Sequence, residues 1–142
     1  APPLLTDGIR KVHDFLTVGA AHPLQIAVAV ALGFPDSFYD RLLEEYTERR
    51  NAMTAGLKGI GFEVRPPDGA YYVMAGIEPF GFPDDVSFAR HLIESVAVAT
   101  VPASSFYHDR GRGATQVRFS FPKRMETLER GLEALRQLPR PS

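Results

Sequence analysis

Two periods of apolar residues along the chain predict its secondary structure. Apolar residues at helical spacing predict helices over residues 9–16, 23–33, 37–58, 84–96 and 125–135. Alternating or short apolar runs predict strands over residues 62–65, 70–75, 98–101 and 116–121. After the N-terminal segments the order is helix, hairpin, helix, strand, strand, helix. This order predicts an α+β fold with helices packed on a small sheet.

The helix predicted between Pro23 and Gly33 is apolar nearly all round, because the segment LQIAVAVAL lies inside it. A proline suits the first turn of a helix and a glycine suits its end, so both boundaries have a local cause. A helix without a polar face has to be buried on every side. A single small domain has difficulty hiding such a helix, and we therefore expect further protein to cover it.

Turn and capping residues organise the middle of the chain. The turn signal PPDG at residues 66–69 predicts that the first two strands pair as a hairpin. Asp84 or Asp85 is expected to cap the helix that follows. The residues expected to face inward from that helix are Phe88, Ala89, Leu92, Ile93 and Val96. The last helix carries an apolar stripe made of Met125, Leu128, Leu132 and Leu135.

The composition limits the classes of function. The chain has 142 residues, of which 44% are hydrophobic, and this is enough for one domain with a sizeable core. Sixteen basic and seventeen acidic residues give a net charge of -1, so no overall field attracts nucleic acid or an anionic membrane, and we expect neither as a partner. The absence of cysteine excludes disulfides and thiolate nucleophiles, and it fits a cytoplasmic location.

No short motif in the chain specifies a reaction. The four histidines lack the spacing of metal ligands, and we predict no metal site. Ser104 and Ser105 closely precede His108, but without a G-x-S-x-G elbow this closeness in sequence does not make a catalytic triad. The glycines at 111 and 113 are too few for a phosphate-binding loop. The residue types therefore predict a folded α+β domain and no particular reaction.

The segment QVRFSF at residues 116–121 places an arginine at the centre of a predicted strand. Its apolar face holds Val117, Phe119 and Phe121, and its polar face holds Gln116, Arg118 and Ser120. This is the pattern of a strand with one buried and one solvated face. On the pattern alone, Arg118 is an exposed surface residue, as most arginines are.

Five segments, taken in order, give the chain a resemblance to a known family. The segments are KVHDFLTVGA with PLQ (11–25), EEYTERRNAM (44–53), PDGAYYVMAGI (67–77), VAVATVPASSFY (96–107) and VRFSFPKRMETL (117–128). Together they resemble the C-terminal part of the class I/II aminotransferases, which are fold-type I enzymes that use pyridoxal phosphate. No single segment decides this, but their order and spacing extend over almost the whole chain.

The resemblance implies an organisation and an activity. Residues 1–33 would be a remnant of the large cofactor-binding domain, and residues 34–142 would be the small C-terminal domain. The parent protein would move an amino group between an amino acid and a 2-oxo acid, as a cytoplasmic homodimer. The family's Schiff-base lysine lies upstream of the region that resembles Ala1. We therefore expect an inactive fragment that has no catalytic or cofactor-binding residue and does not bind pyridoxal phosphate covalently.

The resemblance also implies two substrate-binding residues. In the family, the arginine of the motif that resembles residues 117–119 binds the α-carboxylate of the substrate, and this role transfers to Arg118. Tyr71 matches an aromatic position of the family and is the second candidate, for the wall of the substrate pocket, with packing in the sheet as its alternative. Because the cleft would lack its other wall in a fragment, we expect Arg118 to be solvent-exposed.

Two residues depart from the pattern of the family. Ala97 and Ala103 stand where the family often has glycine, and at a position of positive φ an alanine costs about 1 kcal/mol.

Three alternatives to an aminotransferase stay open. The first alternative is a pyridoxal-phosphate lyase or decarboxylase of the same fold. The second is an aminotransferase-like effector-binding domain of a transcription regulator. The third is an independent interaction protein. The sequence upstream of Ala1 would separate these alternatives.

Overall fold

A computed structural model describes residues 1–139 of the chain. These residues form two compact units, one of them Ala1–Asp40 and the other beginning at Arg41. The first unit is helical, and the second contains the sheet. The predicted α+β class is confirmed. The assignment of residues 1–33 and 34–142 to two domains of a longer enzyme stays a prediction.

The first unit contains helices α1 (Pro3–Thr17) and α2 (His22–Leu32). A proline lies in the first turn of each helix, where its missing N–H costs nothing. No residue of either helix is buried. The apolar side chains of α2 thus lack the cover that a helix without a polar face requires. No single helix within residues 1–139 is long and apolar enough to cross a membrane, and α1 and α2 pass such a test only as a pair bent by 105°.

Helix α3 (Asp36–Ile60) ends at a glycine that is in the left-handed region of the backbone. Gly61 has a φ of 116°, and its N–H donates to the carbonyl of Lys58. The next N–H, that of Phe62, donates back to the carbonyl of Leu57. This pair of hydrogen bonds is the Schellman arrangement, which satisfies the last carbonyls of a helix. It turns the chain directly into the first strand.

The sheet has four antiparallel strands in the order β1-β2-β4-β3. The strands are β1 (Glu63–Val64), β2 (Tyr72–Gly76), β3 (Val101–Pro102) and β4 (Gln116–Ser120). Strands β1 and β2 form the predicted hairpin, although β1 and β3 are shorter than the sequence predicts. The last strand in sequence lies inside the sheet, with β2 on one side and β3 on the other. It places Met74 and Val101 opposite Arg118.

One face of the sheet packs on the helices. Helices α4 (Asp85–His91) and α5 (Met125–Leu135) and the second half of α3 supply the opposing side chains. The buried cluster consists of Met53, Leu57, Phe62, Val73, Ala75, Ile77, Phe80, Phe88, Leu92, Val96, Val117, Phe119, Phe121, Leu128, Leu132, Leu135 and Leu138. The predicted stripe of α5 is confirmed, since three of its members are buried and Met125 is partly buried. The other face of β2 and β4 carries the half-buried side chains of Tyr72, Met74 and Arg118.

Helix α4 begins as predicted, but its continuation departs from the prediction. Asp84 is the N-cap, and its carboxylate accepts a hydrogen bond of 2.7 Å from the N–H of Ser87, which lowers the pKa of Asp84. This hydrogen bond stabilises the fold at pH values above the ordinary pKa of a carboxyl group. That stability is lost as the pH falls through the lowered pKa of Asp84. Residues Leu92–Val96 then form a wider π-type turn. That turn changes the helical phase, so the prediction that Ile93 faces inward is wrong, since its side chain is 56% exposed.

Replacing Ala97 by glycine is expected to raise the free energy of unfolding by about 1 kcal/mol. Ala97 ends the wide turn with a φ of 58°, in the region where a Cβ is unfavourable. Ala103, the other alanine at a family glycine position, is not among the residues with positive φ and is fully buried. Urea unfolding of both variants measures the difference. Ala103→Gly should lower stability, and equal effects of the two substitutions would contradict the prediction.

Candidate substrate-binding site

Arg118 lies at the centre of β4, on the sheet face opposite the core. Its neighbours Val117 and Phe119 point into the core and are buried, so the alternation along the strand directs Arg118 to the other face. The hydroxyl of Thr100 donates a hydrogen bond of 2.7 Å to the carbonyl oxygen of Arg118. Together with the pairing on both sides, this bond fixes the backbone from which the side chain extends.

Two aromatic rings contact the guanidinium group of Arg118. Its Cζ atom lies 4.6 Å from the ring centroid of Phe106 and 5.1 Å from that of Tyr72. The Nε atom is buried and has no hydrogen-bond partner within residues 1–139. The expectation of a solvent-exposed Arg118 is therefore wrong, because this chain itself supplies walls around the side chain. The residue is half-buried.

Arg118 has no counter-ion among the residues that the structure describes, where the ion pairs involve other cations. A half-buried cation without a carboxylate nearby is costly, because burial removes hydration that the two aromatic rings replace only in part. Such an arrangement is typical of a site whose anion comes from a ligand. The guanidinium is planar and can hold a carboxylate through two parallel hydrogen bonds.

A small pocket opens beside the guanidinium group. Its volume is about 170 Å³, and its lining residues are Tyr72, Met74, Phe106, Tyr107 and Arg118. Tyr72 and Met74 come from β2, on the same face as Arg118, because Met74 is paired with Arg118 and Tyr72 is two residues away. The walls are aromatic or apolar, and the single charge is positive. The pocket can therefore receive one anionic head group.

A short turn, Ala103–Phe106, brings Phe106 and Tyr107 to this pocket. The buried carboxylate of Asp85 accepts a hydrogen bond of 2.7 Å from the N–H of Ser104 and so ties the turn to helix α4. The backbone of the turn also packs against Gly113. The sequence pattern gives no role to Tyr72 or Phe106 and makes Asp85 only an alternative cap of helix α4, a place that Asp84 takes. The strand alternation that selects Arg118 could have indicated Tyr72, but no local signal indicates the other two.

Tyr71, the second predicted substrate-binding residue, lies next to the pocket but does not line it. Its side chain is 57% exposed, and its ring meets the ring of Tyr72 edge-on at 5.8 Å. Its carbonyl accepts a hydrogen bond of 3.1 Å from the N–H of Phe121, which continues the pairing of β2 with β4. The structure thus brings Tyr72 to Arg118 in place of Tyr71. A role for Tyr71 in substrate binding stays a prediction.

The other candidate residues of the sequence form no second reactive site. Ser104 is buried, and Ser105 donates its hydroxyl to the carbonyl of Pro102 at 2.6 Å. Among residues 1–139, no three side chains of histidine, aspartate or glutamate are grouped so that they could hold a metal ion. None of the three lysines, at 11, 58 and 123, lines the pocket around Arg118, and all three are exposed.

The comparison with known families identifies the class of protein. Residues 3–135 match the family described as aminotransferase class I and II, and the chain belongs to this family. The resemblance seen in the sequence is thereby confirmed.

Individual relatives are similar along nearly the whole chain. A probable N-succinyldiaminopimelate aminotransferase, DapC, of Mycobacterium tuberculosis is 36% identical over 96% of this chain, which corresponds to 36% of that relative. The methionine aminotransferase of Escherichia coli is 32% identical over 97% of this chain and 36% of its own length. The solved structure of the N-succinyldiaminopimelate aminotransferase from Mycobacterium tuberculosis superposes with a TM-score of 0.82 at 34% identity, over 98% of this chain and 36% of that one. The chain thus spans about a third of the length of the relatives it matches.

The family implies pyridoxal phosphate as cofactor, but the residues that line this pocket are not suited to hold it. An anchor for this aldehyde has to be a lysine amine, and no lysine lies at the pocket within the described residues. A phosphate group would require several converging donors, whereas the pocket offers one guanidinium group. The donor set fits a carboxylate.

Proposed function

We propose that this chain is the carboxylate-binding part of an enzyme that moves an amino group between an amino acid and a 2-oxo acid. Arg118 binds the α-carboxylate of both substrates, which carry this group at the same position. The observation that supports the proposal is the half-buried guanidinium group without a counter-ion, at the side of a small aromatic pocket. Membership of the aminotransferase family supplies the reaction class.

The pocket contributes orientation and water exclusion to the reaction. Two parallel hydrogen bonds from the planar guanidinium group fix the plane of the carboxylate and therefore the direction of the bonds at the adjacent Cα atom. The aromatic walls shield the ion pair from water on the sides they cover and so strengthen it. The residues of this pocket bind and orient the substrate and do not remove the proton from Cα.

The proposal extends to the whole protein. We propose a pyridoxal-phosphate-dependent, cytoplasmic homodimer in which the lysine that binds the cofactor comes from outside these 142 residues. The family and the 36% share of the relatives that this chain matches support such a division of labour. Cofactors of this kind perform the bond breaking, and the protein supplies anchoring and orientation. Residues 1–33 then belong to the cofactor-binding domain and residues 34–142 to the small domain.

A donor and acceptor screen of the complete protein tests the proposed reaction. We expect amino groups to pass from an amino acid to a 2-oxo acid, with equal amounts of the new amino acid and the new oxo acid formed. Release of ammonia or carbon dioxide without transfer would favour the lyase or decarboxylase alternative. Binding of amino acids without turnover, accompanied by changed DNA binding, would favour the regulator alternative. Substrate pairs should be measured by mass spectrometry in both directions.

A further inference from the structure

Binding of a carboxylate by Arg118 is strongest when the guanidinium group is already restrained in one orientation. Its aliphatic stem is long, and the free side chain has many rotamers to lose when it is fixed in one of them. Proteins commonly fix such a group with a carboxylate, but no ion pair involves Arg118 among the described residues. Its Nε atom likewise lacks a hydrogen bond within that part of the chain. The restraint therefore has to come from packing.

The faces of two aromatic rings supply that packing. The Cζ atom of Arg118 lies over the ring of Phe106 at 4.6 Å and over the ring of Tyr72 at 5.1 Å. The negative face of an aromatic ring attracts a guanidinium group and favours stacked contact. All five N–H bonds of a guanidinium lie in its plane, so an aromatic ring stacked on that plane uses none of them. A carboxylate partner, in contrast, would occupy the donors that the substrate needs.

Both rings are held by rigid parts of the fold. Tyr72 belongs to β2, which is paired with β1 and β4. Phe106 ends the turn that follows β3, and β3 is itself paired with β4 at Arg118. The buried carboxylate of Asp85 fixes the same turn through the N–H of Ser104. Backbone anchoring of this kind limits the movement of both rings when the pocket is empty, which preorganises the site.

From this geometry we propose that Phe106 and Tyr72 are positioning residues that hold the guanidinium plane of Arg118 ready for the substrate carboxylate. The inference rests on the proposed function of Arg118. The ring of Phe106 contributes through its face and not through its bulk alone. Its effect is therefore confined to steps that involve the carboxylate, and it serves amino acids and 2-oxo acids alike.

The test compares Phe106→Leu with Phe106→Tyr in the complete enzyme. A cation–π contact of this kind corresponds to about a tenfold effect on binding. We expect Phe106→Leu to raise the KM of both the amino acid and the 2-oxo acid about tenfold. Phe106→Tyr keeps the ring face and should restore KM to within about twofold. Tyr72→Leu should raise KM in the same way, and the affinity for pyridoxal phosphate should stay unchanged in all three variants.

Phe82→Leu is the matched control, because it removes a ring that packs on Phe88 and His91 in the same unit. This control should lower the unfolding midpoint without changing KM. Phe106 is 52% exposed, so its leucine variant should fold normally. An unchanged KM in Phe106→Leu, or a KM that Phe106→Tyr fails to restore, would overturn the inference. If Arg118→Gln also left the KM unchanged, the proposed function itself would fail.

Discussion

Arg118→Gln in the complete enzyme is expected to lower kcat/KM for the amino donor by about 10² to 10³. The substitution removes two charge-assisted hydrogen bonds to the carboxylate, and each is worth about 1.5 to 3 kcal/mol, although the two are not fully additive. The loss should fall mainly on KM, because the carboxylate is bound both before and during the reaction. The same variant should lose binding of the 2-oxo acid to a similar degree. Steady-state kinetics of both half-reactions measure these effects.

A second measurement on this variant separates binding from folding. The folded chain holds the Arg118 cation half-buried and, within residues 1–139, without a counter-ion. Replacing it by neutral glutamine removes that cost together with the two ring contacts, so the free energy of unfolding should change little. A fall in affinity together with little change in stability is the pattern of a binding residue. A merely structural residue would lose both.

Two further variants complete the Arg118 experiment. Arg118→Lys keeps the charge but not the planar fork and should lose about tenfold in kcat/KM. Arg130→Gln makes the same chemical change at an exposed position on α5, away from the aromatic pocket, and should have wild-type kinetics. If Arg118→Gln behaved like Arg130→Gln, Arg118 would be an ordinary surface residue, as its strand pattern alone suggests.

Much of the fold could be predicted because its causes are local. The turn at residues 66–69 specifies the β1–β2 hairpin, and the spacing of Leu128, Leu132 and Leu135 specifies the buried stripe of α5. The alternation along β4 correctly assigns Val117 and Phe119 to the core. In each case a few neighbouring residues determine the outcome.

The features that escaped prediction depend on contacts between distant parts of the chain. The surroundings of Arg118 could not be predicted, because Tyr72 reaches it through the register of β2 with β4 and Phe106 reaches it from the turn after β3. The alternation rule gives a residue's face but not what covers that face. Ile93 was misplaced for a different reason, since the wide turn at Leu92–Val96 breaks the period on which the prediction relies.

The turn that carries Phe106 depends on the absence of a side chain at Gly113. A Cβ atom at this position would lie 2.5 Å from the carbonyl carbon of Ala103 and 2.5 Å from the nitrogen of Ser104. Both are backbone atoms, so no side-chain rotation can relieve the clash, and the turn itself would have to move. Ser104 is also the residue whose N–H donates to Asp85, so the displacement would strain that buried hydrogen bond as well.

Gly113→Ala is therefore expected to lower the free energy of unfolding by about 1 to 3 kcal/mol, the usual cost of overpacking. It should also raise the KM of the amino acid in the complete enzyme, because a displaced turn moves Phe106 away from Arg118. Urea unfolding and steady-state kinetics measure the two effects. Phe106→Leu should raise KM without this loss of stability. The two variants therefore distinguish the effect of the Phe106 ring from the effect of the turn that carries it.

Gly59→Ala is the control, and its expected effect on the free energy of unfolding has the opposite sign. Gly59 lies in α3, is exposed, and has nothing within 4 Å of the position that a Cβ would occupy. An alanine there should raise the free energy of unfolding by up to about 1 kcal/mol, because it restricts the unfolded chain and favours the helix. KM should not change. If Gly113→Ala were as stable as Gly59→Ala, the close packing of the turn on residue 113 could not be what holds Phe106 beside Arg118.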